Sequence, residues 1–158
     1  MCIRDRYKGN PFWVSPIINE ELNLIDVKKN PVFQNAEAEF FLAYINNEVV
    51  GRIAAIINWI EVNQLKKRKM RFGWFDCIDD KKVSQSLLNK VERLGKEKKM
   101  EFVEGPVGFS NLDKAGLLVY GFEEMNTMIT QYNFPYYCLL YTSPSPRDAH
   151  ESRMPSSA

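Results

Sequence analysis

The chain has 158 residues, which suits one domain, and its 45% hydrophobic and 13% aromatic content supplies enough apolar material for a core. Wholesale disorder, a collagen-like chain and a coiled coil are therefore excluded. The 21 basic and 20 acidic residues leave a formal charge of +1, so the chain as a whole has no electrostatic reason to bind nucleic acid or an anionic membrane. No apolar run approaches the length of a membrane span, and the first six residues lack the apolar stretch of a signal peptide. We expect a cytoplasmic protein without a nucleic-acid or membrane partner, in which any charged ligand is bound locally.

The two ends of the chain resemble translated sequencing-adapter read-through. The string from Leu139 to Ala149 carries this resemblance, and Met1–Arg6 shows it at the other end. Residues 138–158 are rich in proline and serine and lack apolar periodicity, so an ordinary disordered tail is the alternative. We predict an artefactual leader over residues 1–6, a domain over residues 7–137, and an artefactual or disordered tail after it.

This division limits the chemistry of the domain. Cys77 is the single cysteine of residues 7–137, and the one histidine of the chain, His150, lies in the tail. A disulfide framework, a cysteine and histidine zinc site, and catalysis with histidine as the base are therefore excluded for the domain, and no metal site is predicted. Basic and acidic residues are equal in number there, so the domain is neutral.

The first half of the domain predicts a lead-in followed by a hairpin. Three prolines between residues 7 and 34 indicate an irregular segment with short helical turns. Two apolar runs follow, over residues 38–45 and 49–57, and Asn46-Asn47 between them suits a turn with positive φ. We predict two buried strands, with a bulge at Gly51.

Five of the six residues from Lys66 to Arg71 are basic. A phosphate-binding patch is one interpretation, but a charge run between strands is more often a solvated loop, and we favour the loop. The next run, Met70 to Ile78, is apolar on both alternating faces, which predicts a central strand covered on both sides. The alternation places Phe72, Trp74 and Ile78 on one face and Phe75 and Cys77 on the other.

After Asp79-Asp80 the apolar period becomes helical, with Val83, Leu87, Val91 and Leu94 in one stripe. Either aspartate can cap this amphipathic helix. A short strand over residues 101–104 follows, and Gly105-Pro106 ends it. Strand, helix and strand in this order predict a right-handed parallel unit. The predicted fold class is α+β, a mixed and mainly antiparallel sheet with one parallel strand-helix-strand unit.

Six phrases stand out along residues 7–137: Asn10-Pro11-Phe12-Trp13-Val14, Lys29-Asn30-Pro31, Ala36-Glu37-Ala38-Glu39, Val50-Gly51-Arg52-Ile53-Ala54-Ala55, Phe72-Gly73-Trp74-Phe75-Asp76 and Tyr132-Asn133-Phe134-Pro135-Tyr136-Tyr137. With the order of elements, they resemble a GNAT-superfamily N-acyltransferase of a bacterial branch. The resemblance implies that the two parallel strands splay apart and admit the pantetheine arm of acetyl-CoA or another acyl-CoA, the co-substrate. It also implies a fragment, because the family places a strand and a helix before Tyr7 and further strands after Tyr137.

The resemblance also implies where acyl-CoA binds. Family members usually have an Arg/Gln-x-x-Gly-x-Gly/Ala loop at the turn that is Ile78–Ser84 here, and this turn has no glycine. Asp79 and Asp80 would repel a diphosphate, so a well-capped structural helix is the alternative. The slot of the usual catalytic tyrosine falls on Leu117 or Leu118. The candidate cofactor-binding residues are Cys77, Ile78, Lys81, Lys82, Val83, Ser84 and Asn111.

Thioester aminolysis needs a group that takes a proton from the amine. Asp76 is the first catalytic candidate, because burial in an apolar strand raises the pKa of a carboxyl group. A wet cleft, or a structural pair with Arg52 or Arg71, is the alternative for Asp76. Glu104, beside Gly105-Pro106, is the second candidate.

Two functions remain open from the sequence. The first is transfer of an acyl group from acyl-CoA to a small-molecule or peptide amine. The second is a GNAT-shaped domain without catalysis, which binds a ligand or packs against a second domain of a longer parent protein.

Overall fold

The computed structural model describes residues 6–110 and 112–141, the last three of them by backbone alone. Within these ranges the elements are helix α1 (Ile18–Ile25), a 3-10 helix (Pro31–Gln34), strands β1 (Ala36–Ile45) and β2 (Glu48–Asn58), helix α2 (Trp59–Asn63), strand β3 (Lys69–Cys77), helix α3 (Lys81–Glu97), strand β4 (Phe102–Glu104) and helix α4 (Tyr136–Tyr141). The four strands form one sheet in the order β1-β2-β3-β4. The first three are antiparallel, and β4 runs parallel to β3. The mixed α+β sheet is thus confirmed.

The hairpin of β1 and β2 has the predicted turn and bulge. Asn46 and Asn47 both have positive φ, of 49° and 65°, a conformation that asparagine adopts more readily than most residues. The register of β1 on β2 shifts between Ala43 and Tyr44, next to Gly51, which is the partner of Ala43. The glycine therefore marks an irregularity of the strand pair, as expected.

Strand β3 contains a second bulge, which the sequence did not predict. Trp74 has a positive φ of 48°, and the register of β3 on β2 shifts between Arg52 and Ala54. One residue of β2 consequently faces two residues of β3 at this point, which is the geometry of a β-bulge.

The bulge reverses the alternation of side chains along β3. Phe72, Phe75 and Cys77 all belong to the core beneath α3, whereas Trp74 packs on the opposite face of the sheet, 5.6 Å from Phe109 between ring centroids. The predicted alternation, with Trp74 beside Phe72 and Phe75 across from it, was wrong. A strict period of two does not hold across an inserted residue.

Helix α3 covers one face of the sheet with the predicted stripe. Val83, Leu87, Val91 and Leu94 are all buried in the main core, together with residues of β2 and β3. Asp80 is the N-cap, and its carboxylate accepts a hydrogen bond from the backbone N–H of Lys82 at 2.7 Å. Burial of this apolar stripe orders the helix on the sheet.

The predicted domain limits fall inside described structure at both ends. Arg6, the last residue of the predicted leader, is half-buried against the sheet, and helix α4 continues four residues beyond Tyr137. The other residues of the predicted leader and tail, 1–5 and 142–158, lie outside the described residues. In the part of the chain that the structure describes, no helix combines the length and the apolar character needed to cross a membrane.

Candidate functional site

Strands β3 and β4 part after a short parallel pairing. Their register joins Lys69 to Phe102, Met70 to Val103 and Arg71 to Glu104. One further bond follows, from the backbone N–H of Val107 to the carbonyl of Phe72 at 2.8 Å. Strand β3 then continues to Cys77 without β4 beside it, so half of this strand edge is left to other parts of the molecule.

The point at which β3 and β4 separate depends on a close approach between the backbones of Gly73 and Val107. A Cβ atom on Gly73 would lie 2.6 Å from the carbonyl oxygen of Val107, closer than real Cβ contacts come. Only glycine lets the two chains stay this near before they separate.

Two tyrosines occupy the far end of the open edge. The backbone N–H of Cys77 donates a hydrogen bond to the Tyr137 hydroxyl at 2.7 Å, and the Tyr136 hydroxyl donates one to the carbonyl of Cys77 at 2.6 Å. Tyr137 is 1% exposed and belongs to the core. The backbone of Cys77 is therefore satisfied by protein groups, and it is not left for a ligand.

Asp76 lies beside Cys77, on the other face of the sheet, and is 2% exposed. Its Oδ1 accepts hydrogen bonds from the Tyr137 hydroxyl at 2.6 Å and from Arg6 Nη1 at 2.8 Å, and the Tyr7 hydroxyl lies 3.5 Å away. Arg52 is its register partner on β2. Burial raises the pKa of Asp76, although Arg6, the Tyr137 hydrogen bond and Arg52 act in the opposite direction.

A cavity of about 270 Å³ lies against this carboxylate. Asp76, Arg52 and Tyr7 line it together with apolar groups that include Trp13 and Trp74. The segments around residues 13–24, 108–114 and 126–132 form its other walls. The lining mixes apolar with polar and charged groups, and a concave site that fixes polar groups in this way can bind a small molecule.

The cavity carries an excess of acidic side chains. Four carboxylates line it, and two cations accompany them: Glu20, Glu21, Asp76 and Asp113, with Arg52 and Lys114. The Nζ of Lys114 is 3.0 Å from Glu21 Oε1, and the indole N–H of Trp74 donates to Glu21 Oε2 at 3.3 Å. Arg6 also pairs with Asp76, so four carboxylates meet three cations at the cavity, and the remaining carboxylate favours a cationic ligand over an anionic one.

The second catalytic candidate, Glu104, is held in an ion-pair cluster. Its Oε1 lies 2.6 Å from Lys69 Nζ and 3.2 Å from Arg71 Nε, and both cations also reach Glu61 Oε1, at 3.2 and 2.8 Å. Partial burial raises the pKa of Glu104, but Lys69 and Arg71 outweigh it and lower the pKa below the ordinary value. The cluster fastens β4 and α2 to the start of β3 and engages Arg71 there, whereas Asp76 is paired with Arg6.

This cluster corrects one expectation from the sequence. Lys69 and Arg71 are buried in β3, with 9% and 3% exposure, whereas the basic run was predicted to be a solvated loop. The prediction holds for the exposed residues 66–68. A run of like charges gives no sign of its acidic partners, Glu61 and Glu104, which lie in other elements.

The other predicted residues gather at the end of β3 and the start of α3. Ile78 follows β3 directly, and its backbone N–H donates to Val50 at 2.9 Å. Lys81 and Lys82 are exposed in the first helical turn, whereas Val83 and Ser84 are buried on its inner face. The Ser84 hydroxyl donates to the carbonyl of Lys81 at 3.0 Å. Asn111 lies outside the described residues.

The Cys77 thiol has no nucleophilic character in this setting. Burial, and then the nearby Asp76 carboxylate, raise its pKa to about 12, so the thiolate does not form near neutral pH. No group of three histidine, cysteine, aspartate or glutamate side chains is arranged to hold a metal ion within residues 6–110 and 112–141.

The partners of Asp76 include residues that sequence reasoning missed. Arg6 falls in the predicted leader, and Tyr7 and Tyr137 are not among the predicted site residues. These residues are 61 to 70 positions from Asp76 in the chain, and no local spacing indicates such a contact.

Two curated proteins are similar to this chain in sequence. A bacterial ceramide synthase of Caulobacter vibrioides is 31% identical over 115 residues, which are 72% of this chain and 30% of that protein. Protein YghO of Escherichia coli is 27% identical over 131 residues, which are 83% of this chain and 33% of that protein. The chain thus spans about a third of the length of these relatives. No family model matches the chain, and no solved structure matches it at a significant level.

Proposed function

We propose that the domain is an acyl-CoA-dependent N-acyltransferase of the GNAT type, in which Asp76 accepts the proton of the acceptor amine. The observation that carries this proposal is the position of Asp76. Its buried carboxylate lines a cavity, and this cavity lies beside the part of β3 that is no longer paired with β4. The six phrases that resemble the family supply the reaction class. By the resemblance, an extended acyl donor would lie along this edge of β3 from Gly73 onward, and Tyr136 and Tyr137 bound it at Cys77.

The proposed reaction needs one proton acceptor at the amine. The amine nitrogen attacks the thioester carbonyl carbon, so a C–N bond forms and the C–S bond breaks. The bound ammonium first releases one proton to solvent and becomes the neutral amine. During attack the nitrogen loses a second proton to the Asp76 carboxylate, and Asp76 then gives this proton to the departing thiolate. A base works best when its pKa lies near the working pH, and burial moves the pKa of Asp76 upward from 3.8 in that direction.

The walls of the cavity favour an acceptor with a positive head and an apolar body. Its acidic excess attracts an ammonium group, and Trp13, Trp74 and Ile129 offer apolar contact. One relative, which the chain matches over 30% of its length, is named a bacterial ceramide synthase, and a ceramide is an amide of an apolar amino alcohol. We therefore propose a primary amine with an apolar chain as the acceptor.

The residues at the start of α3 fit the diphosphate of an acyl-CoA only in part. Asp80 already caps the helix through the N–H of Lys82, so a carboxylate stands where the phosphate would be expected. Lys81 and Lys82 are exposed in the same turn and provide the opposite charge. The donor would therefore be held by lysine side chains, with weaker contacts than a glycine-rich loop gives.

The second candidate function is a ligand-binding or packing domain without catalysis. It is favoured by the same Asp80 cap and by Leu117 and Leu118 in the slot of the family's tyrosine. Under this function the cavity binds an apolar amine, and no acyl transfer follows.

The experiment measures both binding and turnover on the full chain. Acetyl-CoA or palmitoyl-CoA is added to the protein with dodecylamine, and release of free CoA thiol is followed with a chromogenic thiol reagent. We expect amine-dependent thiol release, an amide product by mass spectrometry, and a rise in melting temperature with CoA alone. A melting temperature that rises with dodecylamine but not with CoA, without thiol release, would support the non-catalytic function. No response to either compound would overturn both.

A further inference from the structure

A second concave surface lies between β1 and α3, on the face of the sheet that α3 covers. We call it the β1–α3 groove, and its volume is about 550 Å³. Phe41, Leu42 and Ala43 line its β1 side, while Lys82, Lys90 and Arg93 are among the α3 residues that line the other. The cavity of Asp76 opens on the opposite face, so the two surfaces are separate.

The groove is cationic although the chain is nearly neutral. Its described lining contains three cations and no carboxylate, and the polar residues between the cations carry amide or hydroxyl groups. Lys90 Nζ lies 4.8 Å from the centroid of the Phe41 ring, so this cation stands over the apolar floor. Glu37, on the same face of β1, is paired with Lys98 near the other end of α3.

Exposed apolar side chains lie along β1 between this groove and the hairpin end. Leu42 and Tyr44 alternate with Phe41 and Ala43, so they lie on the other face of β1, whereas Ile45 lies on the face of the groove. Strand β1 is an edge of the sheet, and Leu42, Tyr44 and Ile45 are 52%, 59% and 42% exposed. Tyr44 and Ile45 directly precede the Asn46-Asn47 turn, so they lie at the end of the hairpin. Apolar side chains at a projecting end, with cations beside them, are the composition of surfaces that bind the membrane interface.

We propose that the β1–α3 groove and the hairpin end bind the surface of a membrane that contains anionic phospholipid. Lys82, Lys90 and Arg93 face the lipid phosphates, while Tyr44 and Ile45 enter the boundary between headgroups and acyl chains. An acidic helix of a partner protein would match the charge of the groove. It would lie along the groove, however, and leave the hairpin end uncovered, whereas a bilayer covers both.

The net charge of +1 does not argue against this surface, because attraction to phosphates falls off within about 10 Å and is decided by the nearest charges. Lys82 is shared with the proposed acyl-donor site, so the membrane proposal is tested by vesicle binding without acyl-CoA and not by activity.

The test is sedimentation of the full chain with vesicles. One set contains two parts phosphatidylcholine to one part phosphatidylglycerol, and the other contains phosphatidylcholine alone. We expect binding to the first set only, weakened by added salt. The variant K82E/K90E/R93E should bind at least about 100-fold more weakly, since each cation near an anionic surface contributes roughly fivefold.

Two further variants separate the effect of this surface from the effect of net charge alone. K8E/K28E/K67E makes the same change in net charge at exposed positions elsewhere and should retain most of the binding. Y44S removes an exposed apolar group without touching the cations and should also weaken binding. Equal binding to both vesicle sets, no binding, or equal losses in the two triple variants with unchanged circular dichroism would overturn the proposal.

Discussion

The hydroxyl of Tyr137 forms hydrogen bonds with the backbone of Cys77 and with the side chain of the preceding residue, Asp76. It donates a hydrogen bond to Asp76 Oδ1 at 2.6 Å and accepts one from the N–H of Cys77 at 2.7 Å. Tyr137 itself is held in the core, 5.8 Å from Phe75 between ring centroids. The orientation of the Asp76 carboxylate is therefore fixed by a buried aromatic ring that comes from a distant part of the chain.

Tyr137→Phe tests this relationship. A hydrogen bond to the ionised carboxylate lowers its pKa, so its removal should raise the pKa of Asp76 further. The acidic limb of the pH profile of kcat/KM should move to higher pH, and the free energy of unfolding should fall by about 1–3 kcal/mol because the Cys77 N–H loses its acceptor. Tyr136→Phe is the matched control, since Tyr136 bonds the Cys77 carbonyl and not Asp76. Equal movement of the acidic limb in both variants would contradict the assignment.

Asp76→Asn should lower kcat/KM for acyl transfer by about 10²–10⁴, since it removes the proton acceptor and keeps the size of the side chain. The rise in melting temperature with CoA should remain. Glu104→Gln should change kcat/KM much less, because Glu104 does not line the Asp76 cavity and its pKa is lowered by Lys69 and Arg71. Thiol release with acyl-CoA and amine measures both variants. A larger loss in Glu104→Gln would identify Glu104 as the base instead.

The raised pKa of Asp76 predicts a specific pH dependence of stability. Its folded-state pKa lies above 3.8, so the folded state favours the neutral carboxyl group. The stability from this preference is complete below the unfolded pKa, and it is lost as pH rises through the folded pKa. The unfolding free energy of the wild type, relative to Asp76→Asn, should therefore decrease across that window. Urea titrations at a series of pH values give this difference, and an increase with pH would show that the pKa is lowered.

Asp80→Asn should improve the binding of CoA. Asparagine caps a helix about as well as aspartate, so the bond to the Lys82 N–H is kept while one negative charge is removed. A unit charge at about 4 Å in water contributes about 1 kcal/mol, which predicts a decrease of roughly fivefold in the Kd of CoA. Asp26→Asn makes the same change in charge far from α3. Calorimetry should show no effect of Asp26→Asn, and an equal gain in both variants would place the diphosphate elsewhere.

Gly73→Ala should destabilise the fold by about 2–4 kcal/mol, because its Cβ would lie 2.6 Å from the Val107 carbonyl oxygen and force the two chains apart. Gly95→Ala is the comparison, since a Cβ there meets no atom closer than 3.5 Å and alanine favours a helix. Gly95→Ala should be neutral or stabilising in chemical denaturation. Similar stability of the two variants would mean that the parting point of β3 and β4 has room to adjust.

Local patterns in the sequence were sufficient to predict the main helix, the hairpin turn and the buried strand. The helical stripe from Val83 to Leu94 and the turn at Asn46-Asn47 both arise from neighbours in the chain, and both are confirmed. The buried position of Asp76 was also expected from its apolar strand. These features depend on interactions within a few residues, which periodicity records.

The features that the sequence did not predict depend on distant contacts. Glu104 of β4 reaches Lys69 and Arg71 across 35 and 33 positions, and Arg6 reaches Asp76 across 70. A period of two or 3.6 carries no information about such pairs. The sequence therefore predicts the helices and strands better than it predicts the ion pairs between them.

The bulge at Trp74 also decides whether Asp76 or Cys77 faces the cavity. If every residue were kept and the bulge were straightened, strict alternation from Phe72 would turn Asp76 toward the core beneath α3 and would turn Phe75 and Cys77 toward the cavity. Deletion of Trp74 removes the extra residue itself, so Phe75 would then face Ile53 alone and Asp76 would keep its place at the cavity. The phase of the strand therefore tolerates loss of the bulged residue, whereas loss of a residue from the regular part of β3 would turn one end of the strand over.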